Sequence, residues 1–142
     1  MPERNEIGHD AARRVIDTIA GALVDRGAGA AIAVVDPHGE LVAFLRTDGC
    51  PLASIGNAIN KAFTAAREGV ESREIGERSR NEGFPMTTFG DLRYTGWGGG
   101  VPLTAGGDVI GGVGVSGLPE ADDIELARMG AAALARSGDG EV

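Results

Sequence analysis

Apolar residues recur at helical spacing in three long segments of the chain. These are residues 10–26, residues 52–68 and the segment that follows Pro119, each with polar residues on its opposite face. Gly27 follows the first segment as a helix stop, and Pro119 precedes acidic residues that suit the positive end of a helix. The pattern predicts three helices, and the charged segment Glu71–Arg80 predicts a shorter, solvated one.

Two pairs of segments rich in β-forming residues predict two hairpins. Ala30–Asp36 and Leu41–Arg46 are joined by the turn PHGE, and Val101–Ala105 and Asp108–Ser116 are joined by the pair GG. The order helix, hairpin, two helices, loop, hairpin, helix predicts an α+β fold with one antiparallel sheet flanked by helices. The sheet has four or five strands, since the irregular residues 81–98 leave room for a fifth.

The chain is long enough for one domain. Its 142 residues, 42% of them hydrophobic, suffice for one core, and they show no internal repeat or linker. We expect this domain to span residues 10–136, with a flexible N-terminus at residues 1–9 and a flexible tail at residues 137–142.

Charge and composition narrow the range of partners. The net charge of −8, without a basic cluster, argues against nucleic acid or an anionic membrane surface as the main partner. No apolar run approaches the roughly 20 residues that span a bilayer, and the polar start MPERNEIGHD lacks a signal-peptide core. The single cysteine allows no intrachain disulfide, and we expect a cytoplasmic protein.

The segment GVGVSG, residues 112–117, matches the glycine spacing of a dinucleotide-binding turn. The chain after it has room for one helix and a tail but not for the second parallel strand that such a site needs. A strand is therefore favoured, and its alternation puts two sets of residues on opposite faces: Val109, Gly111, Val113 and Val115; Ile110, Gly112, Gly114 and Ser116. The nearly bare second face predicts close packing of a helix, a neighbouring subunit or a flat ligand.

Four segments of the chain occur together in a specific order. They are AIAVVDPHGELVAFLRTDG, NAINKAFTA, GGGVPL, and VIGGVGVSG followed by an acidic helix start, over roughly residues 10–135. In this combination the chain resembles the GlcG/HbpS-like family, which includes the C-terminal domain of PduO-type proteins and is often called the haem-degrading domain. It departs from the family pattern at Cys50, where alanine is expected, and in TTFGDLRYTGWG, which is longer and more aromatic than the usual loop.

The resemblance implies a compact α+β fold similar to profilin or PAS-type proteins. It also implies a homo-oligomer, from dimer to octamer. Some members bind haem or a related tetrapyrrole, so haem is the cofactor that the resemblance implies. Other members accompany catabolic enzymes for small organic acids.

Arg46, Asp48 and Lys61 form the first group of candidate ligand-binding residues. Arg46 ends a strand, Asp48 begins the turn after it, and Lys61 lies off the apolar stripe of its helix. An Arg–Lys pair suits a substrate carboxylate or a haem propionate, because Arg offers a planar fork and Lys a point charge. In the alternative interpretation, Arg46 and Asp48 contact each other and stabilise the turn, and Lys61 is solvated.

Arg93, Tyr94 and Trp97 form a second group, and Gly99 and Gly100 complete the candidate ligand-binding set. Aromatic rings beside a run of glycines suit an apolar pocket that also offers a polar group to a ligand. They equally suit a subunit interface, where Tyr, Trp and Arg are enriched. The sequence leaves both interpretations open.

Cysteine and histidine provide few candidates for metal or haem ligation. No spacing of His, Cys, Asp or Glu indicates zinc, so we predict no metal site of that kind. Cys50 is either a nucleophile or soft ligand, or a small buried hydrophobic residue. His9 belongs to a frayed terminus or ligates haem across a subunit contact, and His38 is a turn residue. His9 and Cys50 are therefore the haem-ligand candidates.

These observations lead to three functional hypotheses. The leading one is a small-molecule-binding protein of the GlcG/HbpS type, whose ligand is haem or another planar or carboxylate-bearing molecule in a catabolic context. The first alternative is a cofactor-independent isomerase, lyase or decarboxylase acting on a small organic acid or aromatic catabolite. Its catalytic residues are unknown, with Asp48, Cys50, Lys61 and Tyr94 as candidates. The second alternative is a structural, oligomeric accessory protein.

Overall fold

The computed structural model describes residues 5–136 of the chain. Four helices cover a four-stranded sheet in an α+β arrangement, as the hydrophobic pattern predicts. In chain order the elements are α1 (His9–Arg26), β1 (Ala31–Val35), β2 (Leu41–Arg46), α2 (Ser54–Glu68), α3 (Ser72–Glu82), β3 (Gly100–Ala105), β4 (Asp108–Ser116) and α4 (Glu120–Arg136). The loop before β3 contains a short 3-10 helix, Met86–Phe89, and no fifth strand is found among the described residues.

The two hairpins are joined through their inner strands. The strand order is β2-β1-β4-β3, and all neighbouring strands are antiparallel. Strand β1 pairs with β4 along its whole length, from Ala31 opposite Ser116 to Val35 opposite Gly112. Every residue of β1 is buried, whereas the edge strand β2 is partly exposed. The β1–β4 pair is therefore the centre of the sheet, with core residues on both faces.

Helices α1 and α4 pack side by side on one face of the sheet. The main hydrophobic cluster lies between them and the inner strands, which contribute Ile32 and Val34 from β1 and Val113 and Val115 from β4. All four side chains are fully buried, and each such burial stabilises the fold by about 1.5–3 kcal/mol. In the part of the chain that the structure describes, no helix is both long and apolar enough to span a membrane.

Helix α2 packs on the opposite face, directly over the glycines of β4. A Cβ atom at Gly114 would lie 2.1 Å from the carbonyl oxygen of Ala58, and one at Gly112 would lie 2.6 Å from that of Ala62. Alanines dominate the α2 side of this contact, so the backbones of helix and strand approach closely. Of the three occupants expected for the bare face, the structure shows a helix of the same chain.

Ile110 lies on the opposite face of β4 from the one that simple alternation predicts. Leu103 pairs with Gly111 and Thr104 pairs with Val109, so Ile110 is an extra residue on β4. Such a β-bulge shifts the alternation of side chains around it. Ile110 is fully buried in the cluster beneath α1 and α4, and its predicted place on the glycine face is wrong.

The segment before α1 is attached to β4. Ile7 is 4% exposed, and its backbone N–H donates a 2.9 Å hydrogen bond to the carbonyl oxygen of Ile110. The side-chain amide of Asn5 donates to a carboxylate oxygen of Asp108 at 2.7 Å. Part of the N-terminus that we expected to be flexible therefore makes core contacts. The rest of that segment, residues 1–4, and the expected tail at residues 137–142 lie outside the described residues.

Candidate functional site

A pocket of about 350 Å³ lies where the close packing of α2 on β4 ends. The first two turns of α2, the end of β4, the start of α4 and the turn before β3 form its walls. The polar side chains that line it are Ser54, Asn57, Lys61, Ser116, Glu120 and Asp123. The indole of Trp97 borders the same space. We refer to it as the α2–α4 pocket.

A buried ion pair forms part of the wall of the α2–α4 pocket. Lys61 is 3% exposed and Asp123 is 2% exposed, and the Lys61 Nζ lies 3.2 Å from Oδ2 of Asp123. Nζ also donates a 3.0 Å hydrogen bond to the carbonyl oxygen of Val115. Lys61 is the only lysine of the chain, and it is not the solvated residue of the alternative interpretation.

Burial raises the pKa of the Asp123 carboxyl above its ordinary value, and the ammonium of Lys61 opposes that rise. The other carboxylate oxygen, Oδ1, accepts a 3.1 Å hydrogen bond from the backbone N–H of Leu118. Asp123 therefore connects the beginning of α4 to the side chain of Lys61 on α2. The pair holds two walls of the pocket together.

Three further polar side chains of the pocket have no partner within residues 5–136. These side chains belong to Ser54, Asn57 and Ser116, and none of them donates or accepts a hydrogen bond there. Ser54 and Ser116 are nevertheless 6% and 5% exposed. Buried polar groups are normally paired, and no fully enclosed side-chain oxygen or nitrogen in the described part lacks a partner. The exposed fraction of these groups therefore faces the open pocket.

Trp97 is held by its backbone while its ring stays exposed. Its carbonyl oxygen accepts a 2.6 Å hydrogen bond from the hydroxyl of Ser72, and the next residue, Gly98, donates its N–H to a carboxylate oxygen of Glu120 at 2.6 Å. The side chain is 62% exposed. An exposed indole on a fixed backbone provides a flat apolar surface at the mouth of the pocket.

Gly99 and Gly100 lie behind the pocket, against Lys61. Gly99 has a φ of +128°, and a Cβ atom there would lie 2.5 Å from the carbonyl oxygen of Val115 and 3.0 Å from Nζ of Lys61. At Gly100 a Cβ atom would lie 2.1 Å from the carbonyl oxygen of Lys61. Both glycines allow β3 to pass close to this lysine, so their effect on the pocket is through its position.

Arg46 and Asp48 lie elsewhere on the molecule. They border a different hollow, together with Leu23 and Val24 of α1. The structure does not bring Arg46 and Lys61 into one pocket, so it does not form the carboxylate clamp that we considered from the sequence.

Arg93 and Tyr94 belong to an aromatic cluster over α2. The guanidinium carbon of Arg93 lies 4.0 Å from the centre of the Phe63 ring, and Tyr94 stacks on Phe89 with ring centres 4.4 Å apart. The Tyr94 hydroxyl donates a 2.7 Å hydrogen bond to Glu68. Burial and this carboxylate raise the pKa of Tyr94. Of the second group of candidates, only Trp97 borders the α2–α4 pocket.

The candidate haem ligands lie outside the α2–α4 pocket. His9 is exposed at the start of α1, with Nε2 3.6 Å from Asp10. Cys50 precedes α2, and burial raises the pKa of its thiol, while nearby Arg46 opposes the rise. The backbone N–H of His38 donates to the Asp36 carboxylate within the first hairpin turn. No cluster of three or more His, Cys, Asp or Glu side chains suited to a metal ion occurs among the described residues.

Five polar residues of the pocket were absent from the sequence-based candidates: Ser54, Asn57, Ser116, Glu120 and Asp123. One signal for them was available. Ser54, Asn57 and Lys61 follow the spacing i, i+3, i+7, which places three polar side chains along one side of α2. Asp123 had no such signal, because its meeting with Lys61 depends on how α4 packs.

Comparison with solved structures shows the same fold in several proteins. Streptomyces reticuli HbpS, as a double mutant, is 31% identical, with a TM-score of 0.85 over 94% of this chain and 90% of that one. Klebsiella pneumoniae protein ORFY is 24% identical, with a TM-score of 0.87 over 95% and 94%. The PduOC:haem complex is 22% identical, with a TM-score of 0.82 over 90% and 94%. The last two show the fold alone.

Sequence comparison identifies the family. A search of curated proteins finds no significant match. The model of the family described as "Haem degrading protein HbpS-like" matches residues 7–132, which is most of the chain. The resemblance seen in four short segments is thereby confirmed, and the chain belongs to the HbpS-like family.

Proposed function

We propose that this chain binds a small molecule in the α2–α4 pocket. The observation that carries the proposal is the set of unpartnered polar side chains, Ser54, Asn57 and Ser116, which face one pocket within the described residues. The two serine residues are nearly buried and Asn57 is partly exposed, so their free hydrogen-bonding capacity faces the pocket, where a ligand can use it. A volume of about 350 Å³ lies at the lower end of the range of small-molecule sites.

The pocket residues divide the task of binding. The two hydroxyls and the amide donate to and accept from ligand oxygens and nitrogens. Trp97 covers an apolar face of the ligand at the mouth of the pocket. The Lys61–Asp123 pair fixes the distance between α2 and α4, so that these groups are positioned before the ligand arrives.

The matched pair Asn57→Ala and Asn60→Ala tests this proposal. Both residues lie on α2, but only Asn57 lines the pocket. A panel of small amides, polyols and hydroxy acids is titrated while the fluorescence of Trp97, the only tryptophan, is recorded. We expect a saturable change in the unmodified protein and in Asn60→Ala, weakened about tenfold in Asn57→Ala. No saturable change with any compound, or equal binding by both variants, contradicts the proposal.

Haem is a separate candidate ligand, supported by the family description and by the haem complex of PduOC. The α2–α4 pocket does not fit it, because the described residues that line it include no His, Cys or Met side chain and its one lysine is paired with Asp123. Haem would be held at the surface instead, where the exposed imidazole of His9 is the better ligand and Cys50 the weaker one. Haemin titration should then give a Soret shift that His9→Ala abolishes and Asn57→Ala retains. The reverse pattern contradicts this assignment.

The enzyme alternative uses the same pocket with different residues. Asp123, whose pKa burial raises, and Lys61 line the pocket, whereas Asp48, Cys50 and Tyr94 do not. Perturbed carboxyls in pockets are typical of proton-transfer sites. Turnover of a bound compound that Asp123→Asn abolishes without loss of binding would support this alternative. A homo-oligomer, a catabolic context and a cytoplasmic location stay predictions from the sequence.

A further inference from the structure

The charges around the α2–α4 pocket do not suit an anionic ligand. Among residues 5–136, Lys61 is the only cationic side chain that lines the pocket, and its charge is balanced by Asp123 at 3.2 Å. Glu120 adds an exposed carboxylate to the same wall. The lining side chains therefore carry one net negative charge, and a ligand carboxylate would meet a like charge and no free cation.

The N-terminus of α4, which also borders the pocket, does not reverse this balance. A helix N-terminus favours anions through its free backbone N–H groups. Here the first turn of α4 carries three acidic side chains of the chain itself, Glu120, Asp122 and Asp123. The N–H of Leu118, just before the helix, already donates to the carboxylate of Asp123. The N–H groups of Asp122 and Asp123 donate to the carbonyl oxygen of Pro119.

The hydrogen-bonding groups that the pocket leaves available carry no uncompensated positive charge. An ammonium has three N–H donors, and Lys61 directs two of them to Val115 and Asp123 within the described residues. The third can be directed at a ligand oxygen, beside the hydroxyls of Ser54 and Ser116. The remaining N–H of Lys61 and the two hydroxyls can each bond to a hydroxyl, amide or carbonyl oxygen of a ligand that carries no charge.

We infer that the α2–α4 pocket selects an uncharged ring compound that carries hydroxyl, amide or carbonyl groups, and rejects its anionic counterpart. The ring packs on Trp97, and its polar groups bond to Ser54, Asn57 and Ser116. This inference rests on the proposed function, and it differs from the sequence-based expectation of a carboxylate-bearing ligand because the expected Arg46–Lys61 clamp is not formed.

Three probes of nearly equal shape test the charge preference. They are meta-hydroxybenzamide, meta-hydroxybenzoate and meta-hydroxybenzylammonium, which carry no charge, a negative charge and a positive charge. The indole N–H signal of isotope-labelled protein reports binding, since Trp97 is the only tryptophan. We expect the amide to bind about tenfold more tightly than the benzoate. It should also bind more tightly than the benzylammonium, because the exposed Glu120 attracts a cation only weakly and the ammonium loses its hydration in the pocket. Tighter binding of the benzoate or the benzylammonium overturns the inference but leaves the proposed function intact. No shift with any of the three probes overturns the inference, whereas the proposed function fails only when the wider panel of compounds also gives no saturable change.

Two variants should change the preference in a defined direction. Asp123→Asn leaves Lys61 without its counter-charge, so the ratio of benzoate affinity to amide affinity should rise about tenfold. The ratio is the readout, because breaking the pair also loosens the contact between α2 and α4 and weakens both probes together. Glu120→Gln removes an exposed charge, leaves the buried pair intact, and should strengthen benzoate binding by a smaller factor of about threefold. Asp17→Asn makes the same charge change on α1, away from the pocket, and is the control. Equal effects of Glu120→Gln and Asp17→Asn overturn the inference.

Discussion

Replacement of Lys61 by methionine removes one charge of the buried pair and nearly keeps the side-chain length. The two charged atoms lie 3.2 Å apart, which corresponds to about 5 kcal/mol of attraction at an effective dielectric constant of about 20. Desolvation of both charges offsets most of this attraction in the intact protein, but the variant leaves Asp123 buried without its partner. We expect the free energy of unfolding to fall by about 3–5 kcal/mol at neutral pH.

The loss should depend on pH in a definite direction. Burial already raises the pKa of Asp123, and Lys61 opposes that rise, so the pKa of Asp123 rises further in Lys61→Met. A carboxyl with a raised pKa in the folded state stabilises the fold as pH falls towards its unfolded value of about 4. The difference in stability between the two proteins should therefore shrink between neutral pH and about pH 5.

Urea unfolding followed by circular dichroism measures these quantities. The double variant Lys61→Met/Asp123→Asn removes both charges, so it should be more stable than the sum of the two single losses predicts, by about 2 kcal/mol or more. A loss below about 1 kcal/mol in Lys61→Met, additive effects, or a difference independent of pH would refute the idea that this pair holds α2 to α4.

Three further predictions concern other parts of the fold. Gly114→Ala should lower the free energy of unfolding by about 2 kcal/mol or more, because its Cβ would collide with α2. Gly56→Ala, on the open side of α2, should instead raise it by about 0.5–1 kcal/mol. Urea unfolding of both variants checks these two values. The rate of Cys50 alkylation by iodoacetamide should have its midpoint above the ordinary thiol pKa, since burial raises that pKa; a midpoint at or below it contradicts the structure. Hydrogen bonds from Arg93 lower the pKa of Asp91, so Arg93→Leu should raise it in an NMR titration, and in the unmodified protein the stabilising effect of Asp91 should disappear as pH falls through that lowered pKa.

Periodicity predicted the order of the elements because the signals are local. The strand limits Leu41–Arg46 and Asp108–Ser116 agree with the structure. The turn PHGE before the first strand and the two-residue glycine turn before the second determine where the chain reverses. The bulge at Ile110 was not predictable, because it arises from the pairing of β4 with β3 and not from β4 alone. Local patterns predict which elements form, whereas the register between two strands depends on the sequences of both strands.

The candidate site was predicted only in part, for the same physical reason. Lys61 was identified from the sequence, but its partner Asp123 lies on another helix and is brought to it by the packing of α4. From the sequence we treated Arg93, Tyr94 and Trp97 as one group of candidates. In the structure Tyr94 packs against Phe63, whereas Trp97 borders the α2–α4 pocket. Residues three positions apart in a loop without regular structure share no face that a pattern can predict.

The two faces of β4 should differ in the mutations that they accept over evolutionary time. Val113 and Val115 pack against side chains, which can exchange volume with their neighbours. Gly112 and Gly114 pack against the backbone of α2, which cannot. A saturation mutational scan should therefore show tolerance alternating with a period of two, until Ser116, where the helix no longer covers the strand. Under the proposed function, sequence change that alters ligand choice can accumulate at that boundary without disturbing the helix–sheet contact beside it.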